Sequence, residues 1–283
     1  MKIASLDNEV HFKKVFTDVE IFTAFVKDVL GIDIEIDKVE TKEILQSKLS
    51  AIKFRMDLFA EDKKNRTVVK IQKVDYDYAY KHFSHYFHAN LLDLQKSSQD
   101  YSYAKDVYVI VVATAAYKIK NKNGKLLRDD VLITDTNPRI LKGGKRYMHD
   151  HKLVMLNAIH ANDDTPKAIK DWLDLIIESM KEEQDLNKIN TDNPVINKAV
   201  NRAIREDLTP EERADSKIQY MRRRMLALIK YEGRQEGIKA SKKINLVAIP
   251  RLHKSGVTIP IIADSLNMTE TEVETIIKEA ESN

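Results

Sequence analysis

Val107–Thr114 (VYVIVVAT) is an uncharged run in which most residues are β-branched. That is the pattern of a strand covered on both faces. It predicts a sheet with helices on each side. The flanking segments supply the layers. Glu9–Leu30 carries apolar residues at helical spacing and can close at Gly31. Ile32–Ile36 alternates like a half-buried strand. Ala51–Ala60, the polar Glu61–Arg66 and Thr67–Val74 read as a hairpin. Tyr80–Lys96 reads as an aromatic-rich helix. Val131–Ile133 and Leu153–Leu156 read as short strands. Residues 1–160 therefore predict an α/β core, a mixed sheet flanked by helices.

After Thr165-Pro166 the pattern is helical throughout. Ala168–Glu183, with the single Trp172, Lys198–Glu206 and Pro210–Lys230 are the predicted helices. Thr209 can cap the last of these, with Pro210 at its first position and Glu211 and Glu212 at its positive end. Residues 161–241 are predicted as a helical extension. Residues 242–283 are predicted as three small helices in a helix-turn-helix-like tail. Thr269 and Glu272 form a capping box there. The third helix carries five Glu against Lys278, a poor charge pattern for reading a DNA groove. Pro250 is expected to interrupt the first.

Composition limits the classes of function. The chain has 283 residues, 43% hydrophobic and 32% charged, which suits a globular protein of one large or two smaller domains. It has no Cys, so thiol nucleophiles, disulfides and cysteine-ligated zinc are excluded. No apolar run approaches the roughly 20 residues that span a bilayer, and Met1–Asp7 reaches acid too soon for a signal peptide. The expectation is a cytoplasmic protein with no membrane partner. Net charge is +3, but Arg222–Lys254 holds ten Lys and Arg against two Glu, a local +8. That stretch suits either phosphate contact or a solvated helix face. No phosphate-loop, dinucleotide, zinc-protease or nucleophile-elbow motif is present.

The hairpin is the most specific region. Phe54–Asp62 (FRMDLFAED), Asn65-Arg66 and Val68–Gln72 (VVKIQ) resemble the signature of the transposase-associated, recombination-promoting branch of the PD-(D/E)XK nucleases. His11–Phe16, Tyr76–Tyr78, Phe83, His85–Phe87, Leu132–Pro138 and His151–Val154 extend the resemblance over most of residues 5–180. It implies a restriction-endonuclease-like core, a DNA substrate, and Mg²⁺ held by two acids. A Lys or Gln two positions after the second acid orients the attacking water, and the metal lowers that water's pKa. Carried over, Asp57 matches the first acid and Gln72 the water-orienting position. Glu9 matches, loosely, a helical acid that joins Asp57 at the metal.

The second acid's position holds Lys70. Unit like charges 4 Å apart repel by roughly 4 kcal/mol at an effective dielectric of 20. His82 stands where the branch usually has Arg. Impaired cleavage follows as the expectation. Three roles for Lys70 stay open. It marks an inactive descendant that binds DNA or a protein, or it swings away from a metal held by Glu9, Asp57 and a carbonyl. In the third, it orients water itself. His82, His85 and His88 form an H-x-x-H-x-x-H series in which His82 and His85 can share a helix face, and they are read as packing rather than metal-binding. The target sequence and any homo-oligomer are left open.

Overall fold

A computed structural model of the chain describes residues 2–41, 45–46, 53–54, 57–72, 79–94, 105–115, 123–204, 208–266 and 268–281. The chain divides into two compact units, Met1–Ser216 and Lys217–Asn283.

The first unit opens with α1 (Glu9–Phe16) and α2 (Val19–Leu30). These are two helices where the apolar period predicted one. Asp18 accepts from the Glu20 and Ile21 N–H groups, so it caps a new helix in mid-run. Ile32–Ile36 is not a strand. Ile34 is buried against the core instead. A two-stranded ladder joins β1 (Leu45–Gln46) and β2 (Lys53–Phe54).

The main sheet has five strands: β3 (Leu58–Glu61), β4 (Asn65–Gln72), β5 (Asp106–Ala113), β6 (Val131–Asp135) and β7 (Lys152–Asn157). Their order is β3-β4-β5-β7-β6. The β4-β5 and β5-β7 pairs are parallel, and both edge strands run antiparallel to their neighbours. A parallel pair needs a crossover, and α3 (Ala79–Asp93) supplies it between β4 and β5. Where a single strand Ala51–Ala60 was predicted, the described residues form β2 and the start of β3. Residues 51–52, 55–56 and 73–78 lie outside the described residues.

Side chains alternate across the sheet, so each strand feeds both faces. Val69, Ile110, Val112, Val154 and Leu156 pack with α1, α2, α4 (Lys167–Ser179) and α5 (Pro194–Arg202). Val68, Val109, Val111, Leu153 and Met155 pack with Phe83 and Phe87 of α3. The strand β5 is covered on both sides, as its composition predicts. Trp172 is fully buried beside Phe16 and Phe25, and its indole N–H donates to Asp28 at 2.7 Å. Burying one such side chain is worth about 3 kcal/mol. The first two of the three helices expected in an extension from residue 161 are thus part of this core, because Ile169, Trp172, Ile176, Ile196 and Val200 complete it.

The helix α6 (Pro210–Lys254) is continuous over 45 residues and contains Pro250. Its start is the predicted one: the Thr209 N–H donates to Glu212 at 2.8 Å and the Glu212 N–H to Thr209 Oγ at 3.2 Å. The end of α6 is the first of the three tail helices, so Pro250 does not break it. Then come α7 (Ile259–Leu266) and α8 (Glu270–Glu281). Ile249, Ile262, Ala263, Val273 and Ile277 form the small core of this unit. Thr269 and Glu272 close the capping box. Among the described residues, no helix is long and apolar enough to cross a membrane.

Candidate active site

The β3–β4 hairpin turns at Asp62, whose carboxylate accepts from the Lys64 and Asn65 N–H groups at 2.6 Å. This Asx-type turn fixes the register. Leu58 pairs with Val69. One step further sets Asp57, the residue just before β3, opposite Lys70. Arg66 ties the hairpin down. It donates to Glu61 and Asp93 at 2.9 and 2.7 Å and lies over the Phe59 ring. Asp93 ends α3, so the hairpin and the crossover helix are held in one frame.

Within that frame Lys70 Nζ is 3.6 Å from Asp57 Oδ1. Asp57 is 1% exposed and Lys70 8%. A separation of 3.6 Å is an ion pair rather than a direct hydrogen bond. A charged side chain buried this deeply without an opposite charge costs several kcal/mol. The two residues offset that cost for each other. The Lys70 ammonium also lies 5.8 Å from the centre of the Tyr86 ring on α3. The aromatic face adds to the attraction.

His82 completes the surroundings. It lies edge-on to Tyr86, with ring centres 4.8 Å apart. Burial pushes its imidazole below the usual histidine value, and the charges of Lys70 and His85 push the same way. The histidine series is divided among separate partners. The His88 Nδ1 lies 2.7 Å from the Ser84 carbonyl, one turn back.

The other sequence candidates are placed as follows. Gln72 ends β4, paired with Ala113, and its side chain lies outside the described residues. Glu9 is on α1, which packs on the opposite sheet face, and it forms an ion pair with Lys13 at 2.7 Å. Asp57 and Lys70 are brought together; Glu9 is held by its own helix. In the basic stretch of α6, Arg234, Arg251 and Lys254 are exposed. The side chains of Arg222–Arg224, Lys230, Lys239, Lys242 and Lys243 lie outside the described residues.

Sequence reasoning missed Asn157. It ends β7, is paired with Ala113 and so lies in line with Gln72 across the sheet. It is 1% exposed, and neither atom of its side-chain amide has a hydrogen-bond partner among the described residues. Buried amides are rarely left so. The one signal in the sequence is a polar residue ending the apolar run LVML.

Magnesium requires several oxygen ligands around it. Among the described residues, no group of three His, Asp or Glu side chains is placed to hold a metal ion. Asp57 faces an ammonium. A divalent ion 4 Å from that ammonium meets about 8 kcal/mol of repulsion at an effective dielectric of 20. The described residues around Asp57 do not fit Mg²⁺.

Compared with known proteins, the chain matches no family model, no curated protein and no solved structure.

Proposed function

We propose that the chain is a DNA-binding descendant of the PD-(D/E)XK nucleases, with the phosphodiester-cleaving site silenced by Lys70. The observation that carries this reading is the buried Lys70–Asp57 ion pair. A metal that would lower the pKa of water needs the place where the ammonium stands. The mixed sheet supports the resemblance, with an antiparallel hairpin feeding a helical crossover and a parallel strand. Asp57 stands as the surviving acid of a restriction-endonuclease-like core. Lys70 supplies fixed positive charge and Gln72 keeps the water-orienting position. The substrate class is DNA, bound rather than hydrolysed.

Nicking of supercoiled plasmid with Mg²⁺ or Mn²⁺ tests this. The wild type is expected not to cut. Lys70→Glu restores the second acid and is expected to cut, and Lys70→Glu/Asp57→Ala to lose that activity. Cutting by the wild type that disappears in Asp57→Ala contradicts the silencing, and assigns Lys70 a working role. Absence of cutting by every variant means that decay of the site extends past Lys70.

A further inference from the structure

The β6–β7 connection carries a surface that the site does not use. Residues 137–148 (NPRILKGGKRYM) form a short ribbon. Arg139 and Lys145 are bridge partners, the Ile140 N–H donates to the Gly144 carbonyl at 3.1 Å, and the Arg146 N–H to the Pro138 carbonyl at 2.9 Å. Gly143 and Gly144 make the tip at φ 103° and 89°, where a side chain would be strained. Asn137 clamps the base. Its Oδ1 accepts from the Met148 N–H at 2.8 Å and its Nδ2 donates to the His149 carbonyl at 2.9 Å.

This ordered ribbon holds apolar side chains in water. Leu141 is 101% exposed, Tyr147 80% and Met148 74%. Leu141 lies beside the tip, and Tyr147 and Met148 lie toward the base. Four cations interleave with these side chains: Arg139, Lys142, Lys145 and Arg146. Lys145 pairs with Asp135 at the base and lies 5.5 Å from the centre of the Tyr147 ring. Arg139 and Lys145 share one face of the ribbon because they are partners. Arg146, the next residue, points to the other. Positive charge on both faces of a narrow ribbon matches a groove with a phosphate strand along each wall. A membrane-inserting loop would instead place its cations in one plane behind an apolar tip.

We infer that this ribbon enters a groove of duplex DNA. Arg139, Lys142 and Arg146 meet phosphates on the two strands, while Leu141, beside the tip, acts as an apolar wedge against the bases and Met148 adds apolar contact at the base of the ribbon. The inference rests on the DNA-binding reading above and names a contact surface separate from Asp57 and Lys70.

Fluorescence anisotropy of a labelled duplex of about two helical turns (~20 bp), titrated with the full chain over a range of NaCl, provides the test. Wild type, R139Q/K142Q/R146Q and L141S/M148S are compared, with Trp172 emission checking that each is folded. The charge variant is expected to bind at least about tenfold more weakly near physiological salt, with a log–log salt slope shallower by about three. The apolar variant is expected to bind roughly threefold to tenfold more weakly with its slope unchanged. If wild type binds and both variants match it in affinity and slope, the ribbon inference falls and the DNA reading stands. If wild type fails to bind duplex at low salt, the DNA reading falls and the ribbon inference with it. Phosphatidylserine-containing vesicles are the counter-probe. Loss of vesicle binding with duplex binding intact overturns the inference in favour of a membrane surface.

Discussion

At the scale of single residues, the proposed silencing turns on one side chain, Lys70. Aspartate and glutamate at position 70 would join Asp57 around a cation; lysine provides the cation itself. The pair was half legible in the sequence. The hairpin pattern and the resemblance marked both positions, but only the register of β3 on β4 sets them opposite each other, and register depends on the turn at Asp62. The same charge reaches His82. Desolvation first, and then Lys70, hold its imidazole below the ordinary value of about 6.5. Removing the ammonium is therefore expected to raise the His82 pKa. NMR titration of the histidine ring protons in wild type and Lys70→Gln checks this. An unchanged His82 midpoint would mean that Lys70 does not act on it. For stability the sign is as follows. A histidine whose folded pKa is depressed favours the native state when neutral. That contribution is complete above the unfolded value near 6.5 and is lost as pH falls from there toward the folded value.

At the scale of elements, most strands and helices were readable and their limits and partners less so. The apolar period of residues 9–30 runs through Thr17-Asp18, so periodicity alone joined α1 to α2. The capping chemistry of Asp18 separates them. Ile32–Ile36 alternates, but alternation is local and a strand needs a ladder; burial of Ile34 accounts for its apolar residues instead. The amphipathic faces of α4 and α5 announce helices without naming what they cover, which is why they read as an extension. Asp18 also shows how a cap carries tertiary structure. It accepts from Lys198 Nζ at 2.9 Å and lies 3.5 Å from Arg202, both on α5. Burial pushes its carboxyl up, but Lys198, the Ile21 N–H and Arg202 outweigh that, so the carboxyl lies below its ordinary value. Asp18→Ala is expected to cost about 1–2 kcal/mol, read by urea unfolding followed through Trp172 fluorescence. This group's folded pKa is depressed, so its contribution is present above the unfolded value near 3.9 and is lost as pH falls through the folded value. The variant should therefore differ from wild type at pH 7 and converge with it in strong acid. An equal gap at both would contradict the assignment.

At the scale of the whole molecule, charge is spread unevenly rather than in excess. A net +3 conceals a cationic ribbon between β6 and β7, a basic stretch in α6 and an acidic α8. The α6 stretch and the acidic α8 were visible as residue counts, but only the fold shows the ribbon, clamped at its base by Asn137 and presenting apolar side chains to water. Such a surface stands on a core in which the Lys70 ammonium is buried against Asp57. The proposed function requires that Lys70 exclude the divalent ion. The most direct measurement is Mn²⁺ binding to the full chain, followed by electron paramagnetic resonance, in wild type, Lys70→Glu and Lys70→Glu/Asp57→Asn. The account predicts no Asp57-dependent site in wild type, a stoichiometric site in Lys70→Glu, and its loss in the double variant. A stoichiometric Mn²⁺ site in the wild type that Asp57→Asn removes would contradict it.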